Sequence, residues 1–502
     1  MKGGKTVRAI AGLLLIAGGY WLAVPTPYKE QRLLIDAGGC RMETDIVAKR
    51  SGDAQGSAVL FHGISANKKI MSYLARGFAE AGLRVYATDF PGHGHTPGPF
   101  SPARAEQCGE ALVRELLSRG VIVAERTILA GHSMGGAVAI RIASRVSVAG
   151  VIAISPAPMR AAHGAEPEML FFTNPRPLAS NSLVMNGEIE PKSMRGNAAD
   201  LVALSGDASD KYLELPEETH VSLIFSSAAV RATQEWSARI LHLSKAEALP
   251  NHGPLVGALC GFLGILLIAG PFLREGTVKK TREAGASESA GSAVWRACME
   301  VALGSILIVA LLRYWNPLRA IGLFQGDYFA GYLLFFGGML VGGHWRSLRS
   351  SFRNPWRGML VGAFLGIVLL LMAMGWFELT FYEAWLTAAK WARFPFLLIA
   401  LLPYHLAEEH LLGPVENGKR GRRLIAALAL RLIGWGALMG GVLFLHSGEI
   451  LIGLLAPYLV LFNIVQRSGM DIVRKESGSE AATAVFGAIL AAGFLLVIFP
   501  LT

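Results

Sequence analysis

The feature that most constrains the fold of this chain is a change in hydropathy near Pro254. Beyond it, long apolar stretches alternate with short basic ones, and about 18–20 consecutive apolar residues are enough to cross a bilayer. Only 17% of the 502 residues are charged, against about 25% in soluble domains. We therefore predict eight membrane spans after Pro254, near Leu255–Leu273, Ala297–Tyr314, Tyr328–His344, Gly358–Trp376, Phe394–Leu412, Leu424–Phe444, Ile450–Val465 and Ala481–Phe499.

The N-terminus carries a further candidate span. Three basic residues within the first eight positions precede an apolar run from Ala9 to Val24, which fits either a cleaved signal peptide or a retained anchor. We favour an uncleaved anchor over residues 1–28, because no convincing A-x-A cleavage site follows and because Tyr20-Trp21 suits a membrane interface. This anchor brings the prediction to nine transmembrane helices.

The positions of the positive charges predict the topology. The net charge is +10, but lysines and arginines cluster between the predicted spans, as they do in cytoplasmic loops, and this placement disfavours a nucleic-acid partner. The basic connections are 274–296, 346–357, 416–423 and 467–475. They alternate with connections that contain fewer lysines and arginines. We therefore predict an integral protein of the bacterial inner membrane, with residues 29–246 outside the cytoplasm. The amphipathic segment Phe377–Arg393 is expected along the outer interface.

Residues 29–246 show a different pattern, without any apolar run long enough to span a membrane. An opening hairpin followed by strand–helix alternation predicts an α/β domain, with a mostly parallel sheet covered by helices on both faces. Residues 247–502 then form a second, all-helical membrane domain. The predicted strands are Arg32–Asp36, Glu43–Ala48, Ser57–Phe61, Arg84–Thr88, Thr127–Ala130, Val148–Ile154 and Ser182–Met185. The predicted helices are Lys68–Ala81, Pro102–Arg119, Gly135–Arg145 and Ala228–Leu243.

The segment Gly131-His132-Ser133-Met134-Gly135 fits two motifs. As G-x-x-x-G it would be a packing motif of membrane helices, and as G-x-S-x-G it would present a nucleophilic serine. The predicted strand before it and the predicted helix after it place Ser133 on a strand-to-helix turn of the α/β domain. This context favours the nucleophile.

A serine nucleophile also needs hydrogen-bond donors for the oxyanion that forms when it attacks. The predicted strand Ser57–Phe61 runs into His62-Gly63-Ile64. We predict that the backbone N–H groups of Ile64 and Met134 form the oxyanion hole. His62, which precedes the nucleophile and adjoins a glycine, fits a structural role in this turn.

Three segments in order, LFHGIS, YATDFPGHGHT and LAGHSMGGAVA, resemble the α/β-hydrolase superfamily in its esterase, lipase and serine-aminopeptidase-like branch. The resemblance covers roughly residues 30–245 and implies the α/β-hydrolase fold. It also implies the chain order serine, acid, histidine, so both missing members are expected after Ser133. The family uses the loop that here contains His93 and His95 as a structural turn, which disfavours a metal pair.

The family pattern selects the two remaining candidates. The acid of the family follows a strand and a glycine, which matches Glu190, with Asp207 and Asp210 as alternatives. The histidine precedes the last helix of the domain, which matches His220. Its role would be to accept the proton of Ser133 and to pass a proton to the leaving group.

No cofactor or metal is expected. The sequence contains no phosphate-binding loop, no dinucleotide fingerprint and no H-E-x-x-H motif, and its four widely spaced cysteines do not form a zinc motif. Cys40 and Cys108 can form a disulfide if their domain lies outside the cytoplasm. We expect instead two free buried thiols.

One group of ionisable residues lies in the predicted span Phe394–Leu412. His405, Glu408 and Glu409 share a helix face, and His410 follows. Ionisable residues within a span are costly and therefore indicate a functional site. The alternative is that they mark the cytoplasmic end of the helix, next to water.

Together these features predict a membrane-anchored serine hydrolase that cleaves an ester, or less readily an amide, through an acyl-enzyme at Ser133. A location among membrane lipids favours a lipid-like or acylated substrate. The connection between Ile154 and Ser182 is too short and too rich in proline for a helical cap. The alternative is a transporter-like or assembly protein whose α/β domain only binds a ligand, and no oligomeric state follows from the sequence.

Overall fold

The structure, a computed structural model, describes two compact units. The sheet unit comprises Gly19–Leu259, Phe377–Trp385 and Pro500–Thr502, and the helical unit comprises Met1–Gly18, Cys260–Trp376 and Leu386–Phe499. The sheet unit thus takes in three segments of the region that we assigned to a separate helical domain: 247–259, 377–385 and 500–502. The described residues are 2–24, 26–159, 172, 176–246, 248–275, 290–349, 355–413, 421–445 and 450–502.

The sheet unit contains eight strands: β1 (Tyr28–Ala37), β2 (Cys40–Lys49), β3 (Gly56–Phe61), β4 (Leu83–Thr88), β5 (Thr127–His132), β6 (Gly150–Ile154), β7 (Ser182–Gly187) and β8 (Lys211–Leu215). They form one sheet in the order β1-β2-β4-β3-β5-β6-β7-β8. β1 and β2 form the predicted antiparallel hairpin, and β2 also pairs antiparallel with β4. All other neighbours are parallel, which confirms the predicted α/β fold class.

The sheet-unit helices include one that the sequence did not predict. After α1 (Lys2–Ala23), they are α2 (Ser72–Glu80), α3 (Pro102–Ser118), α4 (Met134–Ala143), α5 (Lys192–Ser205) and α6 (Ser227–Leu241). The prediction lacks α5 and the strand β8 that follows it. Both have weak apolar patterns, because α5 buries only four residues and β8, an edge strand, buries only Leu215.

The core of the sheet unit explains its strand sequences. Every residue of β5 and β6 is buried, as expected for parallel strands that helices cover on both faces. Such strands appear in sequence as continuous apolar runs rather than as an alternation. Because β3, β5, β6 and β7 are parallel, their carboxyl ends meet at one edge of the sheet, where catalytic groups of such folds collect.

Cys40 and Cys108 form a disulfide, with their Cα atoms 5.6 Å apart. The expectation of two free buried thiols is therefore wrong. Cys40 begins β2 and Cys108 lies in α3, and the 68 residues between them give no local signal that these two elements pack together.

Six of the nine predicted spans correspond to helices that could cross a membrane. Among the described residues, six helices are long and apolar enough to cross a membrane: Thr6–Ala23, Gly253–Glu275, Val294–Leu312, Trp356–Thr380, Arg422–Phe444 and Glu480–Ile498. The other three predicted spans, Tyr328–His344, Phe394–Leu412 and Ile450–Val465, do not fall on these six helices. The helices after α6 are α7 (Gly253–Glu275), α8 (Ala290–Leu312), α9 (Gly326–Gly343), α10 (Trp345–Leu348), α11 (Trp356–Thr380), α12 (Ala388–Leu411), α13 (Arg422–Phe444), α14 (Ile450–Leu454), α15 (Ala456–Ser477) and α16 (Glu480–Ile498).

The structure changes the prediction for two connecting segments. Residues 467–475, expected as a basic cytoplasmic loop, lie within α15, and Arg467 is fully buried because Glu409 and Asp471 pair with it. The segment Phe377–Arg393, expected along the membrane interface, contributes Phe377–Trp385 to the sheet unit. Most of the connection between β6 and β7, for which we expected no cap, lies outside the described residues.

We expect the disulfide to stabilise the sheet unit. Replacing both cysteines (Cys40→Ser with Cys108→Ser) should lower its free energy of unfolding by about 2–4 kcal/mol, because the bridge restricts the unfolded chain. The measurement is urea unfolding of the full-length protein in detergent. The control replaces the free Cys260 and Cys298 with serine. If both double variants unfold at the same urea concentration as the parent protein, the disulfide has no stabilising role.

Candidate active site

Ser133 occupies a strained turn between β5 and α4. Its φ of 55° and ψ of −121° cost about 1–3 kcal/mol for a residue other than glycine, so neighbouring contacts must hold the turn. The N–H of Ser133 donates to the carbonyl oxygen of Ile154 at 2.9 Å. Its own carbonyl oxygen accepts from the N–H of Ala157, also at 2.9 Å. These bonds tie the turn to the end of β6.

The two glycines that flank Ser133 are required by close backbone contacts. A Cβ atom on Gly131 would overlap the carbonyl group of Gly135, and a Cβ atom on Gly135 would overlap the carbonyl oxygen of Phe61. Crowding around the turn therefore explains both glycines. The alternative interpretation as a membrane-helix packing motif is wrong, because the turn joins a strand and a helix of the sheet unit.

The structure brings the predicted serine, acid and histidine together. His220 Nε2 lies 3.0 Å from Ser133 Oγ, and His220 Nδ1 lies 3.2 Å from Glu190 Oε1. Burial alone would raise the pKa of Glu190, but the hydrogen bond and the charge of His220 outweigh burial and lower it. Glu190 is therefore a carboxylate at neutral pH.

Two further residues that sequence reasoning missed contact this group. Ser155 Oγ donates to Glu190 Oε1 at 2.5 Å and lies 2.7 Å from His220 Nδ1. Asn186 Nδ2 donates to Glu190 Oε2. Ser155 directly follows β6 and Asn186 lies near the end of β7. The sequence signal that could have identified both residues is a polar side chain at the carboxyl end of a buried strand.

The alternative acids, Asp207 and Asp210, have other partners. Asp207 Oδ1 accepts from the N–H of Ser209 at 2.8 Å, and Asp210 Oδ1 accepts from the N–H of Ser182 at 2.7 Å. Because Ser182 begins β7, these contacts lie at the amino ends of the strands, opposite the edge that holds Ser133. Of the three predicted acids, Glu190 is the one placed beside His220.

The turn that contains Ile64 lies against the nucleophile. A Cβ atom on Gly63 would lie 3.1 Å from the Cβ atom of Ser133. His62 Nε2 accepts the N–H of Phe90 at 3.0 Å, and His62 Nδ1 lies 2.7 Å from the carbonyl oxygen of Gly63. Burial lowers the pKa of His62 to about 4, so the ring is neutral. These contacts give His62 the structural place in the turn that the sequence predicted.

His132, next to the nucleophile, supports the histidine loop. Its Nε2 lies 2.7 Å from the carbonyl oxygen of His220. Burial and, to a smaller extent, the charge of His220 lower the pKa of His132 to about 3. The ring is thus neutral and donates this hydrogen bond.

His93 and His95 have different surroundings. The ring of His93 packs 4.9 Å from that of His62 and 4.8 Å from that of Phe100. His95 faces carboxylates instead, with Nδ1 3.5 Å from Glu43 and Nε2 3.7 Å from Glu378. The two rings therefore do not act as a pair.

Carboxylates also converge around Lys68. Glu43, His95 and Glu383 each place one possible ligand atom within 4.8 Å of the others, a spacing compatible with a metal ion. However, Lys68 Nζ lies 2.7 Å from Glu43 and 2.5 Å from Glu383, and this ammonium would repel a second cation. We interpret the group as an ion cluster centred on Lys68.

In the helical unit, the predicted candidates Glu408 and Glu409 are buried rather than next to water. Glu408 accepts two bonds from Arg431, at 2.6 and 2.8 Å. Glu409 pairs at 2.5 Å with both Arg467 and Arg423. The nearby His405 is buried, and His410 lies 2.8 Å from Ser347. The interpretation of the two glutamates as a water-exposed helix end is therefore wrong, and a functional site at His405–His410 stays a prediction.

Comparison with known proteins identifies the sheet unit. Residues 58–256 match the family model described as the alpha/beta hydrolase family. These residues form an alpha/beta hydrolase domain. The match includes the candidate site described above, from the Ile64 turn to His220. It leaves Phe377–Trp385 and the whole helical unit outside. No curated protein matches the chain significantly.

Three solved structures resemble part of the chain. A serine hydrolase homologue from Coxiella burnetii is 17% identical, with 42% of this chain and 96% of that chain covered and a TM-score of 0.34. An esterase from Pyrobaculum calidifontis is 15% identical, with coverages of 48% and 92% and a TM-score of 0.35. A serine hydrolase without lid from Xanthomonas campestris is 18% identical, with coverages of 45% and 99% and a TM-score of 0.34. Because these sequence identities and TM-scores are low, the three structures carry no argument about the function of this chain.

We expect the hydrolase domain to lose stability as the pH falls from about 6.5 to 4. In the unfolded chain a histidine takes up a proton near pH 6.5, whereas folded His62 and His132 do so only near pH 4 and 3. Protons therefore favour the unfolded chain in this range. Melting temperatures at pH 7.5 and 5.0 measure the effect.

The matched variant is His132→Gln, which keeps a donor for the carbonyl oxygen of His220 but does not titrate. Its melting temperature should fall less between the two pH values than that of the parent protein. Equal falls in the two proteins would contradict the assignment of His132 as a neutral buried ring.

Proposed function

We propose that this protein is a membrane-anchored serine hydrolase that cleaves an ester through an acyl-enzyme at Ser133. The observation that supports the proposal most directly is the hydrogen-bond series from Ser133 through His220 to Glu190. It joins three residue types that nucleophilic catalysis needs, in the chain order of the α/β-hydrolase fold. A binding domain has no need of a strained serine beside a base.

The proposed reaction has two halves. His220 Nε2 accepts the proton of Ser133 Oγ as that oxygen attacks the ester carbonyl, and the N–H groups of Ile64 and Met134 stabilise the oxyanion. The protonated His220 then donates its proton to the leaving alcohol, which produces the acyl-enzyme. A water molecule, deprotonated by His220, releases the acid and restores Ser133.

Glu190 has a positioning and electrostatic role in this proposal. Its carboxylate accepts from His220 Nδ1–H, which fixes the ring so that Nε2 faces Ser133, and it stabilises the positive charge that the ring acquires. Ser155 and Asn186 donate to Glu190 and so keep it oriented. A glutamate is one methylene longer than the commoner aspartate, and these two donors fix the additional rotatable bond.

The surroundings support a lipid-like or acylated substrate outside the cytoplasm. Six helices of the described chain can cross a membrane, which supports a membrane protein whose hydrolase domain has acyl lipids close by. The disulfide Cys40–Cys108 and the basic segments 274–296, 346–357 and 416–423 of the sequence support an orientation in which this domain faces the oxidising side of a bacterial inner membrane.

The proposal predicts that a fluorophosphonate probe labels the full-length protein on Ser133. The activated hydroxyl attacks phosphorus and displaces fluoride, and Ser133→Ala should therefore abolish labelling. The measurement is in-gel fluorescence of the protein in detergent, with the labelled peptide identified by mass spectrometry. Equal labelling of the parent protein and Ser133→Ala, or no labelling of the parent protein, would refute the proposal.

The same assay distinguishes the candidate acids. Glu190→Gln should slow labelling by about 100-fold or more, because an amide cannot stabilise the imidazolium. Asp207→Asn is the matched control and should label at the parental rate. Slow labelling of Asp207→Asn, with a parental rate for Glu190→Gln, would instead identify Asp207 as the acid.

A further inference from the structure

A nine-residue segment of the C-terminal half forms part of the sheet unit. Phe377–Trp385 includes the end of the apolar helix α11 and the turns that follow it. It lies more than 120 residues beyond the end of the family match at residue 256. Within the sheet unit, it contacts the loop of the proposed oxyanion donor Ile64 and the loop of the proposed base His220.

On one side the segment binds the turn after Ile64. Tyr382 Oη donates to the carbonyl oxygen of Ser65 at 3.0 Å, and Asn67 Nδ2 donates to the carbonyl oxygen of Glu383 at 3.4 Å. Ser65 has a φ of 56°, an unfavourable conformation for a residue other than glycine. The contacts that Tyr382 and Glu383 make with this turn therefore help to hold its unfavourable backbone conformation.

The carboxylate of Glu383 is the second contact with this turn. It accepts from the fully buried Lys68 Nζ at 2.5 Å and pairs with Arg32 at 3.0 Å. Lys68 is held from the other direction by Asp89, which accepts from Nζ and, at 2.6 Å, from the backbone N–H of Lys68. A buried ammonium is stable only with such partners, so loss of Glu383 would disturb the backbone just after Ile64.

On its other side the segment contacts the loop that carries the histidine. The ring of Phe381 stacks on that of Phe225, with 5.6 Å between centroids and 29° between planes. Phe225 ends the short 3₁₀ helix Ser222–Phe225, which begins two residues after His220. One segment thus touches the loop of the proposed base and the loop of the proposed oxyanion donor.

We infer that Phe377–Trp385 is a positioning element of the hydrolase site, in which Tyr382 and Glu383 hold the oxyanion-donating turn at its working distance from Ser133. The inference rests on the proposed function. It makes the C-terminal half a requirement for efficient catalysis rather than an anchor alone. The hydrolase domain defined by the family match is, in this account, incomplete without it.

The rate of catalysis depends strongly on the distance between the oxyanion and its donors, so contacts that hold the Ile64 turn in place affect the rate. Donors of an oxyanion hole act only when they meet the developing oxyanion at about 2.7–3.1 Å, and losing one donor costs about 100- to 1,000-fold in kcat. A displaced turn keeps its donor but weakens this bond. The loss should therefore appear in kcat and leave substrate binding, measured by KM, nearly unchanged.

The experiment compares four single variants of the full-length protein in detergent. Tyr382→Phe removes only the hydroxyl that binds Ser65. Glu383→Leu removes both ion pairs, whereas Glu383→Gln keeps an oxygen acceptor for Lys68. The matched control is Tyr212→Phe, which removes a hydroxyl that contacts Glu214 on β8 and lies away from the turn.

The first readout is hydrolysis of a p-nitrophenyl ester. Tyr382→Phe should lower kcat by about fivefold and Glu383→Leu by at least about tenfold, with KM within about twofold of the parental value. Glu383→Gln should recover most of the loss, and Tyr212→Phe should match the parent protein. Melting temperatures identify any variant that fails to fold, in which case Tyr382→Phe carries the test.

The second readout is specific to the oxyanion hole. Sulfur is larger than oxygen and a weaker hydrogen-bond acceptor, so a thionoester reacts more slowly than its oxoester where an oxyanion hole is in place. The ratio of the two rates should shrink in Tyr382→Phe and Glu383→Leu. A purely structural role would lower both rates equally and leave the ratio at the parental value.

The outcomes separate this inference from the proposed function. If the parent protein hydrolyses the ester through Ser133 while Tyr382→Phe and Glu383→Leu keep the parental kcat and rate ratio, the inference is wrong and the function stands. If the parent protein shows no Ser133-dependent hydrolysis, the proposed function itself is wrong. Lower kcat with a smaller oxoester-to-thionoester ratio in both variants supports the positioning role.

Discussion

The hydrogen bonds that hold Ser133 in a turn with positive φ are the constraint on which the rest of the site depends. They link the end of β5 to Ile154 and Ala157 and so oppose the strain of about 1–3 kcal/mol that the turn carries. Gly131 and Gly135 permit the required backbone approach. Every other catalytic candidate is placed relative to this turn by the parallel strands beside it.

Parallel pairing gathers residues that are far apart in sequence at one edge of the sheet. Glu190 follows β7 and His220 follows β8, so the two loops converge beside Ser133. The segment Phe377–Trp385 extends this arrangement with residues from the C-terminal half. If these contacts position the oxyanion hole, catalysis and the membrane-spanning part of the chain cannot be separated without loss of activity.

What the sequence could predict follows from how local each signal is. The Ser133 turn, the Ile64 turn and the α/β class depend on short motifs and on strand–helix alternation, and both the motifs and the fold class appear in the structure as expected. Ser155, Glu383 and the Cys40–Cys108 disulfide depend on tertiary contacts between distant segments. Arg467 appeared as a loop charge for the same reason, because its partner Glu409 lies on another helix.

The most direct test of the central claim is to trap the acyl-enzyme. The full-length protein is mixed with a short-chain p-nitrophenyl ester, quenched in acid within the first turnover, and digested for mass spectrometry. The account predicts one acyl group on the peptide that contains Ser133, formed as one equivalent of p-nitrophenol is released. Rapid hydrolysis with no acylated peptide, or with the acyl group on another residue, would contradict it.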